Sequence, residues 1–342
     1  MTPPRPHPYA ELCVTSNFTF LTGASHPEEL VTRAAELGLA AIAITDRNSL
    51  AGVVRAYSAL KEVTRLRAEA QAMAGGAQDG GQGGGPAGPR IRSQHVTDHS
   101  SRQTVAHFTG ATPAPSLPDQ PLPKLIAGAR LVLTDSPVEW LALPTDLAAW
   151  SRLTRLLSLG KRRAPKGECH LTRADLLDWG AGMILIALPP DPLQDDAAKT
   201  AATKTAPADL RRLAQCFPGQ CFLGAAPRYD GLDRDRCDAL AVLAQAMNLP
   251  MVAAGDVLMH RSARRPLADV LTCLREGCTI DSIGTRRLAN GEHRLKSGAE
   301  MARLFSRHPA ALRRTLEIAD RCAFQLSDLR YQYPDEAQNG EP

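Results

Sequence analysis

The order of hydrophobic and polar positions in the first 50 residues predicts a strand, a helix and a second strand. Residues 11–14 are predicted to form a short strand. The following helix is predicted to begin at Ser25, a residue type that caps helices, and to end at Gly38. Residues 40–44 form a continuous apolar run, which is typical of a strand buried on both faces of a parallel sheet. The polar cluster at 45–48 follows at the carboxyl end of that strand, where chemistry usually lies in β/α folds.

Similar patterns along the rest of the chain predict strands that alternate with helices. Residues 124–133 are predicted to form either a pair of strands or one bent strand, and further strands are predicted at 183–188, 220–225 and 250–254. Helices are predicted at 49–73, 147–159, 172–179, 207–216, 232–248, 265–276, 299–305 and 309–322. This alternation favours βαβ units and a mainly parallel sheet.

Three segments interrupt the pattern. Residues 1–8 are proline-rich and are interpreted as a loose lead-in, and residues 74–123 as a disordered, low-complexity insertion. A second irregular loop, rich in Ala, Thr and Asp, is predicted at 189–206. His95 and His99 in the insertion have i, i+4 spacing, but their surroundings are not helical. They are therefore interpreted as part of a polar loop, as is His107, and not as a metal site.

Composition sets further limits. The 342 residues are sufficient for one large core, or one barrel with an appendage, and the hydrophobic fraction of 44% is ordinary. Aromatic residues make up only 4%, which disfavours extensive base-stacking surfaces, and the net charge of +4 permits nucleic-acid binding without indicating it. No apolar run is long enough to span a membrane, and the eight cysteines lack zinc-type CxxC spacing. These features predict a cytoplasmic protein with reduced thiols and no membrane partner.

Several segments together carry a resemblance to a known family. They are ELCVTSNFTFLTGASHPEELV at 11–31, AIAITDRNSLAGVVRAY at 41–57, LLSLGKRRAPKGECHL at 156–171, VAAGDVLMHRSARRPLADVLTCLREG at 252–277 and ADRCAFQLSDLRYQYPDE at 319–336. In this order they resemble the N-terminal PHP (polymerase and histidinol phosphatase) domain of bacterial C-family DNA polymerases, most closely their error-prone branch. The resemblance implies an α/β fold of PHP type, a distorted (β/α)7 barrel with a C-terminal helical extension.

The resemblance also implies a division of the chain. Residues 9–260 would form the PHP-like barrel, and residues 261–342 the helical extension toward a palm domain that this sequence lacks. Members of the family are nucleotidyltransferases, and their polymerase chemistry requires paired aspartates that bind two metal ions in the palm. We therefore expect this chain to be inactive by itself, with no catalytic residue of its own. The implied partners are a polymerase core or other mutasome proteins.

A working PHP site binds up to three divalent metals through His, Asp and Glu, and this chain has lost most of those ligands. The positions that the resemblance aligns with the ligand motifs are Cys13, Thr15, Asp46, Arg47, Arg130, Asp256 and Leu258, with His260 two residues further on. Two of the positions are arginine. A unit charge at ~4 Å and an effective dielectric near 20 contributes roughly 4 kcal/mol, and a dication doubles the repulsion. Arg47 and Arg130 are therefore predicted to pair with Asp46 and Asp256 in a metal-free pocket.

Two other interpretations remain open. Cys13, Asp46, Asp256 and His260 are all competent metal ligands, and a reduced site built from them would indicate a metal-dependent phosphoesterase or nuclease. No cofactor is predicted, and zinc or manganese is expected only if that reduced site functions.

The third interpretation is a nucleic-acid-binding module, because two basic segments border predicted helices. The candidate phosphate contacts are Lys161, Arg162, Arg163, Arg264 and Arg265, with Lys166 and Arg261 nearby. The alternative for these residues is a solvated surface or a contact with a neighbouring polymerase domain. The preferred interpretation is a non-catalytic scaffold with a degenerate metal site, in the setting of damage-induced mutagenesis and translesion DNA synthesis.

Overall fold

A computed structural model describes residues 7–76, 122–193 and 197–330. Its centre is one sheet of seven strands, which lie side by side in the order in which they occur along the chain. The strands are β1 (Ala10–Val14), β2 (Ala41–Arg47), β3 (Lys124–Leu131), β4 (Glu139–Pro144), β5 (Met183–Leu188), β6 (Cys221–Ala225) and β7 (Met251–Ala253).

The sheet is mainly parallel, as predicted, but it contains one antiparallel strand. Strand β4 runs antiparallel to both β3 and β5, whereas the other neighbouring pairs are parallel. Strand β4 was not predicted from the sequence. Its segment, EWLALP, follows β3 after a short connection and is buried along almost its whole length, so no alternating pattern marks it.

The first and last strands meet only at their carboxyl ends. Val14 forms an isolated parallel bridge with Val257, which lies just beyond β7. The Thr15 amide donates to the carbonyl of Val257 at 2.8 Å, and the Val257 amide donates to the carbonyl of Cys13 at 2.9 Å. The sheet thus closes into a distorted barrel of seven strands, and the predicted fold class is confirmed.

The helices agree with most of the predicted positions. They are α1 (Pro27–Glu36), α2 (Ala51–Gly76), α3 (Leu147–Arg163), α4 (Arg173–Trp179), α5 (Ala197–Cys216), α6 (Asp233–Ala246), α7 (Arg265–Glu276), α8 (Gly298–Leu304) and α9 (Pro309–Arg321). Among the helices that the structure describes, none combines the length and the apolarity that a bilayer span requires.

Three local expectations need correction or qualification. The N-cap of α1 is His26 and not Ser25; the His26 amide donates to the side chain of Glu29 at 2.9 Å. Helix α5 begins at Ala197, within the interval predicted as an irregular loop. The predicted insertion at 74–123 lies largely outside the described residues, and so do the three histidines within it.

The chain forms two compact units. One comprises Met1–Lys61 with Pro121–Pro342, and the other is Glu62–Gln120. Of the smaller unit, the structure describes the second part of α2, where Arg65 forms ion pairs with Glu62 and Glu69. The barrel and everything discussed below belong to the larger unit.

Alternation along the strands produces two apolar layers. In β2, Ile42 and Ile44 belong to the outer layer between strands and helices, whereas Ala41 and Ala43 belong to the layer inside the barrel. Ile318 and other residues of α9 join the inner layer. Helix α9 closes the amino-terminal end of the barrel, where the Thr315 hydroxyl accepts from the amide of Ala10 and the carbonyl of Ala319 accepts from Lys124. We call the opposite end, where the parallel strands have their carboxyl ends, the barrel mouth. The candidate functional site lies at this end.

Candidate functional site at the barrel mouth

Strand register places two arginines side by side at the barrel mouth. Arg47 on β2 and Arg130 on β3 are direct neighbours in the parallel ladder. Side chains alternate along β2, so Arg47 faces the same side as Thr45 and Ala43. Ala43 belongs to the layer inside the barrel, and Arg47 therefore faces inward. Arg130 likewise follows Ile126 on the inward-facing side of β3. Two guanidinium groups therefore lie where the family resemblance implies metal ligands.

Arg130 connects three parts of the barrel through ion pairs. Its Nε lies 2.6 Å from Oε2 of Glu139 at the start of β4, and its Nη1 lies 2.7 Å from Oδ1 of Asp256 beyond β7. Burial disfavours its charge, but the carboxylate of Asp256 raises the pKa of Arg130 further above its usual value. The predicted Arg130–Asp256 pair therefore forms, and Glu139 is an additional partner that the sequence did not indicate.

The electrostatics of Asp256 and Cys13 follow from that ion pair. Although burial opposes ionisation of Asp256, the Arg130 guanidinium holds the pKa of this carboxyl below its usual range. The Cys13 thiol lies 3.6 Å from Oδ1 of Asp256. Burial, and then the charge of Asp256, raise the pKa of Cys13 well above its usual value. Cys13 is thus a neutral thiol, whereas the form of cysteine that binds zinc is the thiolate.

Arg47 and Asp46 do not form the predicted pair. The Arg47 side chain is exposed at the mouth, and no ion pair involves it within the described residues; its amide donates to Oγ1 of Thr19 at 2.9 Å. Asp46 lies on the outward-facing side of β2. It accepts hydrogen bonds from the Ser16 amide and hydroxyl, both at 2.8 Å, and from the Thr19 hydroxyl at 2.9 Å. Burial nevertheless raises the pKa of Asp46. Asp46 therefore stabilises the loop after β1 and takes no part in the Arg130 cluster.

The other candidate ligands have structural contacts of their own. Nδ1 of His260 lies 2.8 Å from the hydroxyl of Ser25, and burial lowers the pKa of His260. The backbone of Thr15 contributes to barrel closure, and the amide of Leu258 donates to the carbonyl of His293. Of the predicted reduced site, only Cys13 and Asp256 come together.

The residues at the mouth do not fit a divalent metal. A cation bound by Asp256 would compete with the Arg130 guanidinium, which already donates to that carboxylate. Within residues 7–76, 122–193 and 197–330, no three His, Cys, Asp or Glu side chains are arranged so that they could share one ion. The chemistry of the donor set therefore opposes the metal that the resemblance implies.

The predicted nucleic-acid contacts are mostly engaged with acids. Arg163 pairs with Asp175 at 2.7 Å. Arg264 pairs with Glu29, and Arg265 pairs with Asp269 at 3.3 Å. Lys161 and Arg162 are exposed at the end of α3, and in the described part of the chain neither has an acidic partner. The two basic segments therefore differ: one end of α3 retains free charge, whereas the segment before α7 is largely neutralised.

A further buried carboxyl lies between β1 and the segment after β7. Oε1 of Glu11 accepts from the amides of Cys13 and Gly255, both at 3.0 Å, and Oε2 accepts from the Tyr9 hydroxyl at 2.8 Å. We call this group, Tyr9, Glu11, Cys13 and Gly255, the β1–β7 seam. Burial raises the pKa of Glu11 to about 7, against the effect of these hydrogen bonds. The only sequence signal for it was a single glutamate within an apolar strand.

Comparison with known proteins finds similarity to the PHP domain family and to part of curated error-prone DNA polymerases. Residues 11–74 match the PHP domain family. The error-prone DNA polymerase of Ruegeria pomeroyi is 60% identical over 335 residues, which cover 97% of this chain and 27% of that protein. The error-prone DNA polymerase of Caulobacter vibrioides is 40% identical over 332 residues, covering 97% and 24%. The chain thus spans about a quarter of the length of the curated relatives it matches.

Two solved structures are more distantly similar. A putative metal-dependent phosphoesterase from Bifidobacterium adolescentis has a TM-score of 0.39 and 13% identity, over 74% of this chain and 88% of that one. An amidohydrolase from Chromobacterium violaceum has a TM-score of 0.40 and 14% identity, over 73% and 87%. Similarity of this degree says nothing about the chemistry of the present chain.

Proposed function

From the premise that this chain carries a PHP domain of the kind found in error-prone DNA polymerases, we propose that it is a non-catalytic scaffold within such a polymerase. The proposed setting is damage-induced mutagenesis and translesion DNA synthesis in the cytoplasm. The proposed partners are a polymerase core and other mutasome proteins. The names of the relatives support the setting, and the eight free cysteines are compatible with a reducing compartment.

The observation that carries the proposal is the contact of Arg130 with both Glu139 and Asp256. Arg47, Arg130, Glu139 and Asp256 contribute two positive and two negative charges, so the mouth is already neutral. A dication placed beside Arg130 would meet a repulsion of roughly 8 kcal/mol at ~4 Å and an effective dielectric near 20. The carboxylates are also committed to the guanidinium, and a metal would have to displace it.

Among the residues that the structure describes, neither Cys13 nor Ser16 is an activated nucleophile at the mouth. Hydrolysis of a phosphoester requires a metal-bound hydroxide or a nucleophile activated by a neighbouring base. Cys13 is held as a neutral thiol. The Ser16 hydroxyl donates to Asp46, but both groups are buried beside the loop after β1 and not at the mouth. The mouth is therefore proposed to stabilise the barrel instead of performing chemistry.

The test combines metal analysis with an activity assay. The purified chain is equilibrated with Zn²⁺ or Mn²⁺, separated from free ions by gel filtration, and assayed with bis(p-nitrophenyl) phosphate. We expect clearly less than one retained metal per chain, and no hydrolysis above that of an Asp256→Asn variant. The proposal fails if wild type retains one equivalent that both Cys13→Ala and Asp256→Asn lose, and if hydrolysis follows the metal.

One observation favours nucleic-acid binding as a second candidate function, namely the free charge of Lys161 and Arg162. Fluorescence anisotropy with labelled single-stranded DNA at several salt concentrations tests it. A Lys161→Ala/Arg162→Ala variant should bind more weakly and with a smaller salt slope if these residues touch phosphates. Arg264→Ala is the matched control, because Arg264 is paired with Glu29. Equal binding by wild type, Lys161→Ala/Arg162→Ala and Arg264→Ala would contradict nucleic-acid binding through Lys161 and Arg162. The scaffold role would then be the only candidate function that stands.

A further inference from the structure

Helix α7 presents its apolar side to solvent. Leu267, Val270 and Leu274 are exposed, and their spacing places them on one side of the helix. We call these three residues the outer stripe. The opposite side is buried although it includes Asp269 and Thr272. A surface helix of a monomeric protein ordinarily has the reverse arrangement, with its apolar side against the core.

The loop between β1 and α1 adds an aromatic ring to this surface. Phe20 is 82% exposed. The loop is well ordered by hydrogen bonds: the amides of Thr22 and Gly23 both donate to the carbonyl of Thr19, and Leu21 adopts a left-handed conformation with φ of 55°. A backbone so constrained fixes Phe20 in its exposed position instead of letting it fold onto the core.

The loop and the helix form one surface. Nη1 of Arg275, near the end of α7, donates to the carbonyl of Leu21 at 2.9 Å. Between them lies a cavity of about 270 Å³, lined on one side by Phe20, Leu267 and Leu271 and bordered by polar residues that include Asn17 and Arg264. This volume lies below the range of about 300–1,000 Å³ that is usual for small-molecule sites. It suits an apolar side chain inserted from another protein surface, as at the anchor positions of interfaces.

The length of the relatives suggests a partner for this surface. The Ruegeria pomeroyi polymerase matches 97% of this chain, but the chain accounts for only 27% of that protein. In that relative, a fold like this one is therefore covalently attached to about three times its own length of further protein. Exposed apolar patches of this kind mark sites of protein interaction. The larger remaining part is accordingly the partner present at the highest effective concentration.

We propose that the outer stripe of α7, together with Phe20, docks an apolar surface of the polymerase part that lies outside the matched quarter of the relatives, with one apolar side chain of that part filling the cavity. This inference rests on the proposed scaffold function and assigns that function a surface.

The test is a split polymerase. The present chain, complete and tagged, is co-expressed with the Ruegeria pomeroyi polymerase from which the matched quarter has been removed, and the complex is purified through the tag. A Val270→Glu/Leu274→Glu variant introduces charge on the outer stripe. The matched control is Val242→Glu, because Val242 is 68% exposed on α6, outside the proposed surface. Thermal unfolding of each chain alone checks that all variants fold.

We expect a one-to-one complex with wild type and with Val242→Glu, and at least tenfold less co-purified polymerase with the double variant at an unchanged unfolding midpoint. A complex that forms equally with the double variant would overturn the docking surface but leave the scaffold function standing. Absence of any complex with wild type would overturn both. Light scattering on the isolated chain adds one outcome: a dimer that the double variant converts to monomer would show that a second copy covers the stripe, and would overturn the proposed partner.

Discussion

The barrel mouth and the β1–β7 seam both bury carboxyl groups beside the segment that follows β7, but they stabilise them in different ways. At the mouth, Asp256 and Glu139 are paired with the guanidinium of Arg130. At the seam, Glu11 receives three hydrogen bonds but, among the described residues, forms no ion pair, and Lys296 acts on it only at a distance. Hydrogen bonds alone do not offset the desolvation of the fully buried Glu11 carboxyl, whereas the adjacent Arg130 cation does so for the partly exposed Asp256.

The two sites should consequently respond to pH in opposite directions. The pKa of Asp256 is lowered, so its stabilising contribution is present above the unfolded-state pKa and is lost as pH falls through the folded-state pKa. The pKa of Glu11 is raised, so its contribution is present below the unfolded-state pKa and is lost as pH rises through about 7. A fall in pH below the ordinary range of a carboxyl weakens the mouth, and a rise in pH from about 4.5 to about 7 weakens the seam.

The largest expected effect is the loss of the acceptor at the seam. Glu11→Leu leaves the Tyr9 hydroxyl and the amides of Cys13 and Gly255 buried without their partner. Each orphaned donor costs about 1–3 kcal/mol, so we expect the free energy of unfolding to fall by roughly 4 kcal/mol. Urea unfolding at pH 6 measures it. Glu11→Gln, which keeps an acceptor oxygen, is the control; equal losses in both variants would show that these bonds do not stabilise the seam.

The next effect is the pH dependence of the seam. The pKa of Glu11 rises from 4.5 to about 7 on folding, so wild type should lose up to about 3 kcal/mol of stability relative to Glu11→Gln between pH 5 and pH 8. Taking the difference between the two proteins cancels the titration of all other groups. A difference that stays flat, or that grows with pH, would contradict the assignment of a raised pKa to Glu11.

Removal of the cation at the mouth should have a smaller effect. Arg130→Met leaves Asp256 and Glu139 without their partner, and breaking a buried pair costs about 3–5 kcal/mol. All three side chains retain some exposure, so we expect about 2 kcal/mol, increasing from pH 5 to pH 8 as Asp256 ionises fully in the variant. The double variant Arg130→Met/Asp256→Asn should lose less than the sum of the single changes. Strict additivity would exclude direct coupling.

The smallest effect is expected for the neighbouring arginine. Arg47→Met removes a charge that has no ion pair in the described residues, so the free energy of unfolding should change by less than about 0.5 kcal/mol. The same urea titration measures it beside Arg130→Met. A loss above about 1 kcal/mol would mean that Arg47 contributes to the charge balance of the mouth from a distance.

The sequence predicted the mouth better than the seam, for physical reasons. Arg130 and Asp256 were recognisable because a family motif marks their positions, and opposite charges at neighbouring strand ends are expected to pair. Glu139 was missed together with β4. A strand that is buried along almost its whole length lacks the alternating pattern that would mark it in the sequence. The seam could not be foreseen, since Glu11 bonds mainly to backbone amides, and an amide 244 residues away leaves no mark in the sequence.

The same limit applies to helix α7. Its predicted bounds, 265–276, agree with the structure. The apolar periodicity that predicts a helix does not say whether its apolar side lies against the core or outward. Only the structure shows Leu274 at 63% exposure.

The closure of the barrel between Val14 and Val257 has a consequence for biosynthesis. Ribosomes add about 5–20 residues per second, so the second half of this closure reaches the nascent chain about 12–50 seconds after the first. During that interval β1 can pair with β2, but its other edge stays open, and the carboxyl of Glu11 stays hydrated and ionised. Each newly made molecule therefore completes its barrel late, once the segment after β7 has been synthesised, and the burial of Glu11 then favours uptake of a proton because its pKa rises to about 7.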